Sequence, residues 1–180
     1  MARTSMLMVF TLFLVACETP TTQRYAVSAD NNQLIRALQT SGVGVEAFTG
    51  PASFDPKCRG YGPMEIADGL THTQYIQKAF VDELKFAGVY AATPARVTLE
   101  GRVDQLSFSS SHSVTKGFWI IDLTLKSSNG GSIGVSEHYD FKSGFGADAA
   151  CRNTAEAFSR AVQDLVSKSI ADSRFPALLK

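Results

Sequence analysis

Ser132 is the residue whose sequence neighbours best fit a nucleophile motif. The segment Gly130-Gly131-Ser132-Ile133-Gly134 reads G-x-S-x-G, the pattern that places a serine on a sharp turn between a strand and a helix. Here the motif follows Asn129 between two alternating apolar segments, where Asn-Gly predicts the tight turn of a β-hairpin. A hydrolase with that elbow also needs a longer parallel sheet than these residues can build. The sequence favours the hairpin, and a small periplasmic serine hydrolase using Ser132 with His138 or His112 is the alternative function.

The three histidines are separated from other groups that could bind a metal or move a proton. Zinc and general-base sites need His, Cys, Asp or Glu at short, regular spacings. The pattern predicts His72 in the first turn of a helix, His112 in a loop, and His138 on the outer side of a strand, where it shares a face with Asp140. The sequence also contains no P-loop, dinucleotide fingerprint or EF-hand loop. We therefore expect no catalytic residue, no metal and no cofactor.

Composition excludes several classes of function. The 180 residues include 17 Lys+Arg and 17 Asp+Glu, for a formal net charge of zero, and no block of like charges is present. This removes the attraction on which nucleic-acid binding and polybasic binding to anionic lipid depend. With 44% hydrophobic and 19% charged residues, the chain is too apolar to remain disordered. We expect one folded domain that does not bind nucleic acid.

The N-terminus has the pattern of an export signal. A short start with one basic residue, Arg3, precedes an apolar run from Met6 to Ala16. A helix of that length spans about 16 Å, roughly half the hydrocarbon core of a bilayer. The run therefore predicts a signal segment and not a transmembrane anchor.

The end of that run, Leu14-Val15-Ala16-Cys17, resembles the lipobox of bacterial lipoprotein precursors. The resemblance implies that residues 1–16 are a signal peptide cleaved after Ala16. It also implies that Cys17 receives a diacylglyceryl group on its sulfur and a fatty acid on its new amine, so that membrane lipid becomes a covalent anchor. An ordinary secretory signal with a fortuitous cysteine is the alternative. Glu18 stands where an aspartate would favour retention in the inner membrane of enterobacteria, so we expect outer-membrane placement facing the periplasm, with the inner membrane as the alternative.

Lipidation of Cys17 leaves two cysteines in the mature chain, Cys58 and Cys151. In an oxidising compartment two cysteines can form one bridge without ambiguity. A redox or nucleophilic thiol would instead require C-x-x-C spacing or a neighbouring histidine, and the sequence has neither. We therefore predict a structural Cys58–Cys151 disulfide.

Residues 17–29 are predicted to be the lipidated N-terminus and a flexible tether, because the segment is polar, small and contains Pro20. Fully extended, its dozen residues reach about 40 Å, which would let the domain stand clear of the membrane. The domain itself is assigned to residues 30–180. Its first elements are a short capping helix from Asp30, a strand over 43–48, and an irregular Gly- and Pro-rich loop over 49–70.

Apolar periodicity predicts two long helices around a run of strands. A capping box at Thr71 begins the first helix, and Asn153 is expected to begin the second. Three predicted strands lie between them: residues 96–110 with a bulge near Asp104, residues 118–126 at the centre of the sheet and covered on both faces, and a returning strand from 133 to 141.

This order of elements resembles a group of small Gram-negative lipoproteins, the YajG-like and ABC-transporter auxiliary (PqiC-like) set, over residues 43–172. The expected fold is a single α+β domain with a mostly antiparallel sheet of about four strands and two long amphipathic helices packed on one face. The long loop over 49–70 and the predicted disulfide depart from the pattern of that set.

A non-enzymatic accessory or binding module for an envelope component is the leading functional interpretation, with an envelope protein or a lipid as partner. Phe108, Phe118 and Trp119 are the residues of a predicted apolar binding patch, if the sheet face around Phe118 is not covered by a helix. Packing of these aromatic side chains in the core and the hairpin is the alternative.

Overall fold

The fold is built from four strands and four α-helices in the computed structural model, which describes residues 19–180. The strands are β1 (Val43–Val45), β2 (Val97–Ser113), β3 (Lys116–Ser127) and β4 (Ser132–Lys142). The helices are α1 (Ala29–Ala37), α2 (His72–Phe86), α3 (Ala147–Ala171) and α4 (Phe175–Leu178), and Ala67–Gly69 forms a 3₁₀ turn. The predicted single α+β domain is confirmed.

The sheet has the order β1-β2-β3-β4. The chain crosses from β1 to β2 through α2, and these two strands are parallel, whereas the two later pairs are antiparallel hairpins. The register of β2 against β3 shifts between Val103 and Gln105, which confirms the bulge predicted near Asp104. The hairpin predicted at Asn129-Gly130 is also confirmed, and Gly130 has the positive φ, +93°, that such a turn requires.

Within the part of the chain that the structure describes, helices cover one face of the sheet and leave the other without a helix. The odd-numbered side chains of β3, among them Trp119 and Leu123, are buried, while the even-numbered positions Phe118 and Ile120 are half-buried on the other face. The prediction that this strand is covered on both faces was therefore wrong. Strand β3 is central within the sheet, but its outer face also carries Asp122 and other polar residues that need no cover.

The N-terminal segment lies along the body instead of extending from it. The backbone amide of Glu65 donates to the carbonyl of Pro20 at 2.9 Å, and the amide of Thr22 donates back to the carbonyl of Glu65 at 2.9 Å. Helix α1 then buries Ile35 completely in the core. Residues 20–29 are thus not a free tether, and α1 is more than the cap that its small apolar face suggested.

Glu83 is the buried group that holds this segment. Its Oε1 accepts hydrogen bonds from the Tyr25 hydroxyl at 2.7 Å, the Ser28 amide at 2.9 Å and the Asn31 side-chain amide at 3.0 Å. Glu83 is fully buried. Burial, together with this hydrogen bond, raises the pKa of Tyr25 well above its usual value, so the tyrosine remains a donor at any physiological pH.

The predicted disulfide joins the irregular loop to α3. Cys58 and Cys151 are bridged, with their Cα atoms 5.7 Å apart and both residues fully buried. Helix α3 begins at Ala147 and not at Asn153 as predicted, so Cys151 lies inside its first turns. Thr154, next to the predicted start, donates its hydroxyl to the carbonyl of Ala150 within the helix at 2.7 Å.

Removing the bridge should destabilise the domain without changing its fold. The Cys58→Ser/Cys151→Ser variant should lose about 4 to 5 kcal/mol of unfolding free energy, because the bridge closes a loop of 93 residues in the unfolded chain. Denaturant titration under oxidising conditions measures this loss. Reductant should lower the unfolding midpoint of the wild type but not that of the variant. A variant with the same midpoint as the oxidised wild type would contradict the structural role of the bridge.

Glu83→Ala should release the N-terminal segment. The variant removes the acceptor of three hydrogen bonds, each worth about 1 kcal/mol, so we expect a loss of about 2 to 4 kcal/mol. Hydrogen–deuterium exchange should show faster amide exchange over residues 20–31 than in the wild type.

Glu83→Gln is the matched control, because its amide oxygen can still accept these hydrogen bonds. Its exchange over residues 20–31 should stay closer to that of the wild type. Equal protection of the segment in the Glu83→Ala variant and the wild type would show that other contacts hold it.

Candidate functional site

An open cavity of about 730 Å³ lies between the irregular loop and the start of α2. Its volume is within the range of small-molecule and cofactor pockets. Most of its wall is apolar, and its polar lining residues lie mainly at the start of α2 and along residues 65–69. The apolar lining residues are Pro51, Phe54, Pro56, Met64, Ile66, Leu70 and Leu106.

The loop that walls the cavity is held by contacts that a Gly- and Pro-rich sequence does not show. The amide of Met64 donates to the carbonyl of Pro56 at 3.0 Å. The disulfide at Cys58 bonds the middle of the loop to α3. On the outer side, the Arg59 guanidinium donates to the carbonyl of Ser110 at 2.7 Å. A stretch of about twenty irregular residues is thus ordered by its links to β2 and α3.

The bulge at Asp104 supplies one side of the wall. In an unbroken strand with period two, the even-numbered Leu106 would face away from the odd-numbered Val103. The register shift instead pairs Leu106 with Ile121 and Phe108 with Trp119, which places these even positions on the helix-covered face. Leu106 is consequently buried at the cavity.

His72 introduces a polar group into this apolar wall. It is 7% exposed and lies between Phe54 and Phe158, with ring centroids 4.7 Å and 4.9 Å away. Within residues 19–180 its Nε2 is buried and has no hydrogen-bond partner. Burial lowers the pKa of His72 to about 4, so the imidazole is neutral near pH 7.

The first-turn position predicted for His72 is confirmed, but its burial was missed. The signal was present in the sequence, because His72, Ile76 and Ala79 follow the same helical stripe and all three are buried.

The residues of the predicted apolar patch do not form one surface. Trp119 is fully buried, with its indole NH donating to the carbonyl of Thr154 at 2.9 Å, and half-buried Phe108 packs 4.8 Å from it on the same face. Phe118 lies on the opposite face, 5.2 Å from the ring of His112 and 5.3 Å from that of His138. Neighbouring residues of a strand point to opposite faces, which is why Phe118 and Trp119 cannot share a patch.

The structure does not bring Ser132 to a histidine. The Ser132 hydroxyl donates to the carbonyl of Leu125 at 3.1 Å. His138 is six residues further along β4, a separation of about 20 Å at the rise of a strand. His112 lies in β2 and not in a loop as predicted, and it packs near that same far end, where Phe118 lies between the rings of His112 and His138. His138 instead lies 3.3 Å from Asp140, the weak pair expected from the sequence.

Within residues 19–180, no group of three or more His, Cys, Asp or Glu side chains is placed to bind a metal ion. None of the helices in this range combines the length and the apolar composition that spanning a bilayer requires. Cys17 and the signal segment lie outside the described residues, so the lipidation site stays a prediction.

Comparison with known proteins identifies a shared fold. No protein-family model and no curated protein sequence matches the chain. The crystal structure of XCC0632 from Xanthomonas campestris, a protein of family DUF330, superimposes with a TM-score of 0.55 at 15% sequence identity, over 77% of this chain and 86% of that one. At this identity the likeness establishes the fold alone.

Acid should destabilise the protein through His72. Protonation is disfavoured in the folded state, so the folded pKa, about 4, lies below the ordinary value of 6.5. The contribution of neutral His72 to the free energy of unfolding is therefore fully present above pH 6.5. It decreases as the pH falls towards 4, by about 3 kcal/mol in all. His72→Phe keeps an aromatic ring at the site and should lose this component of the pH dependence.

Chemical unfolding at a series of pH values measures the effect. His138→Gln changes an exposed histidine and should retain the wild-type pH dependence. A His72→Phe variant whose unfolding free energy falls between pH 6.5 and 4 as steeply as that of the wild type would assign the acid sensitivity to other groups.

Proposed function

We propose that this chain is a lipid-anchored envelope protein whose domain serves as a non-enzymatic binding or accessory module for another envelope component. The observation that carries the binding role is the apolar cavity, because a wall of this size left open to solvent is typical of a ligand or partner site.

Two findings support an envelope location. The Cys58–Cys151 bridge is buried and closes a long loop, as structural disulfides of exported domains do. The order of the elements also resembles that of the PqiC-like and YajG-like lipoproteins, in a fold that is shared with XCC0632, a protein of family DUF330.

The proposed anchor follows from the lipobox at Cys17. In this reaction the sulfur loses its proton and forms a thioether bond with a diacylglyceryl group displaced from a membrane phospholipid, whose headgroup phosphate leaves. Water then hydrolyses the peptide bond between Ala16 and Cys17, and the amine released attacks an acyl ester of a second membrane phospholipid, which leaves as a lysophospholipid. Two or more acyl chains hold a protein on a bilayer essentially permanently.

The docked N-terminal segment changes how the domain would sit on the membrane. Within residues 19–180, Pro20 is the first residue with a backbone hydrogen bond to the body. It is three residues from Cys17, which is about 11 Å at full extension. This is far less than the 40 Å expected for a free tether. The proposed anchor therefore keeps the body directly against the headgroups, on the periplasmic side of the outer membrane.

Cys17→Ser should abolish lipidation and membrane attachment. Intact-mass measurement on protein from the native host should give a wild-type chain that begins at Cys17 and carries fatty acids, and the variant should leave the membrane fraction or remain an unprocessed precursor. Glu18→Gln alters the adjacent residue and should still be lipidated. A wild-type chain that starts elsewhere, or one without fatty acid, would overturn the proposal.

A further inference from the structure

We propose that the cavity holds one of the acyl chains carried by Cys17, so that the protein shelters part of its own anchor. This inference rests on the lipid anchor proposed above and assigns an occupant to the cavity. The occupant is chosen from where the described chain begins and from the chemistry of the wall.

The described chain begins at the mouth of the cavity. Thr21 and Glu65 both line it, and they are paired as neighbouring strands in a parallel bridge. Cys17 is four residues before Thr21, so the two Cα atoms are at most about 14 Å apart. The sulfur and the amine that would carry the acyl chains are thus restricted to the neighbourhood of the opening.

This placement is secured by several contacts on the same segment. The amide of Ala67 donates to the Thr22 hydroxyl at 3.0 Å, and the Tyr75 hydroxyl donates to the carbonyl of Gln23 at 2.8 Å. Together with the pairing to Glu65, they hold the approach to Cys17 against the residues that wall the cavity. The attachment point cannot move to another side of the domain while these contacts last.

The wall suits a saturated hydrocarbon chain. Side chains of Phe54, Met64, Ile66, Leu70 and Leu106 supply apolar surface, and each methylene buried there is removed from water as it would be in a bilayer. Transfer of one chain from lipid to cavity therefore retains the hydrophobic free energy of the methylenes that contact the apolar wall. Because two chains suffice for stable anchoring, a third can enter the cavity without releasing the protein.

Tethering favours this chain over free lipid. A group held within about 14 Å of a site has an effective concentration in the millimolar range or above. Phospholipid from the bilayer would have to leave the membrane to compete. The attached acyl chain is therefore the occupant that the geometry favours.

Photocrosslinking tests the assignment. The native host is grown with a fatty acid that bears a terminal diazirine, so that the chains on Cys17 and those of phospholipids both carry the probe. Irradiation of isolated membranes expels nitrogen from the probe, and the carbene inserts into a nearby C–H bond. We expect mass spectrometry to find the Cys17 lipopeptide joined to peptides from residues 51–73 of the same chain.

A cavity-filling variant sharpens the test. Leu70→Trp places a bulky indole ring in the cavity. It should reduce the intrachain crosslinks about tenfold, since a filled pocket cannot admit the chain. Leu34→Trp makes the same change at an exposed position of α1 and should retain them. Retention of the disulfide and of the thermal unfolding midpoint shows that each variant is folded.

The outcomes separate this inference from the proposed function. Cavity peptides joined to phospholipid chains, with none joined to the Cys17 lipopeptide, would assign the cavity to bilayer lipid and overturn the inference. A lipidated chain with no crosslink to residues 51–73 would overturn it while leaving the anchor intact. Absence of lipid from the intact mass would overturn the anchor and the inference together.

Discussion

The packing of α3 onto the odd-numbered face of β3 is the interaction on which the rest of the structure depends. Trp119 lies at its centre, fully buried and hydrogen-bonded through its indole NH to the backbone of α3 at Thr154. The centroid of its ring lies 4.7 Å from that of Phe158 on α3 and 6.0 Å from that of His72 on α2. One large side chain thus connects the sheet, both long helices and the wall of the cavity.

Two buried carboxylate groups, Glu83 and Glu137, then connect other segments of the chain to that core. Glu83 on α2 accepts three hydrogen bonds from the N-terminal segment and α1, and Glu137 on β4 lies 2.7 Å from the ammonium of Lys168 on α3. Each carboxyl group would be costly to bury without such partners. An inward-facing charge on an edge strand also disfavours pairing of β4 with another chain.

The irregular loop shows how a segment without periodicity can form a defined site. Its only regular element is the 3₁₀ turn Ala67–Gly69, so its shape depends on the disulfide to α3 and on Arg59 bound to the end of β2. The cavity exists because this loop passes beside the start of α2 without packing closely against it. The same loop receives the N-terminal segment at Glu65, which brings the proposed anchor and the cavity to one place.

Local patterns in the sequence were enough to predict the α+β class, helix α2 with its capping box, the bulge at Asp104 and the Asn-Gly turn, because each depends on neighbouring residues. Pairing of Cys58 with Cys151 followed from the assignment of Cys17 to the lipid anchor, which leaves two cysteines. The cavity, the burial of His72 and the docking of residues 20–28 depend on contacts between residues distant in the sequence, such as Glu83 with Tyr25, which are 58 positions apart, and Ala67 with Thr22, which are 45 positions apart. No local pattern records which residue will satisfy a buried carboxyl group or which strand face the helices will cover, so only the tertiary structure decided them.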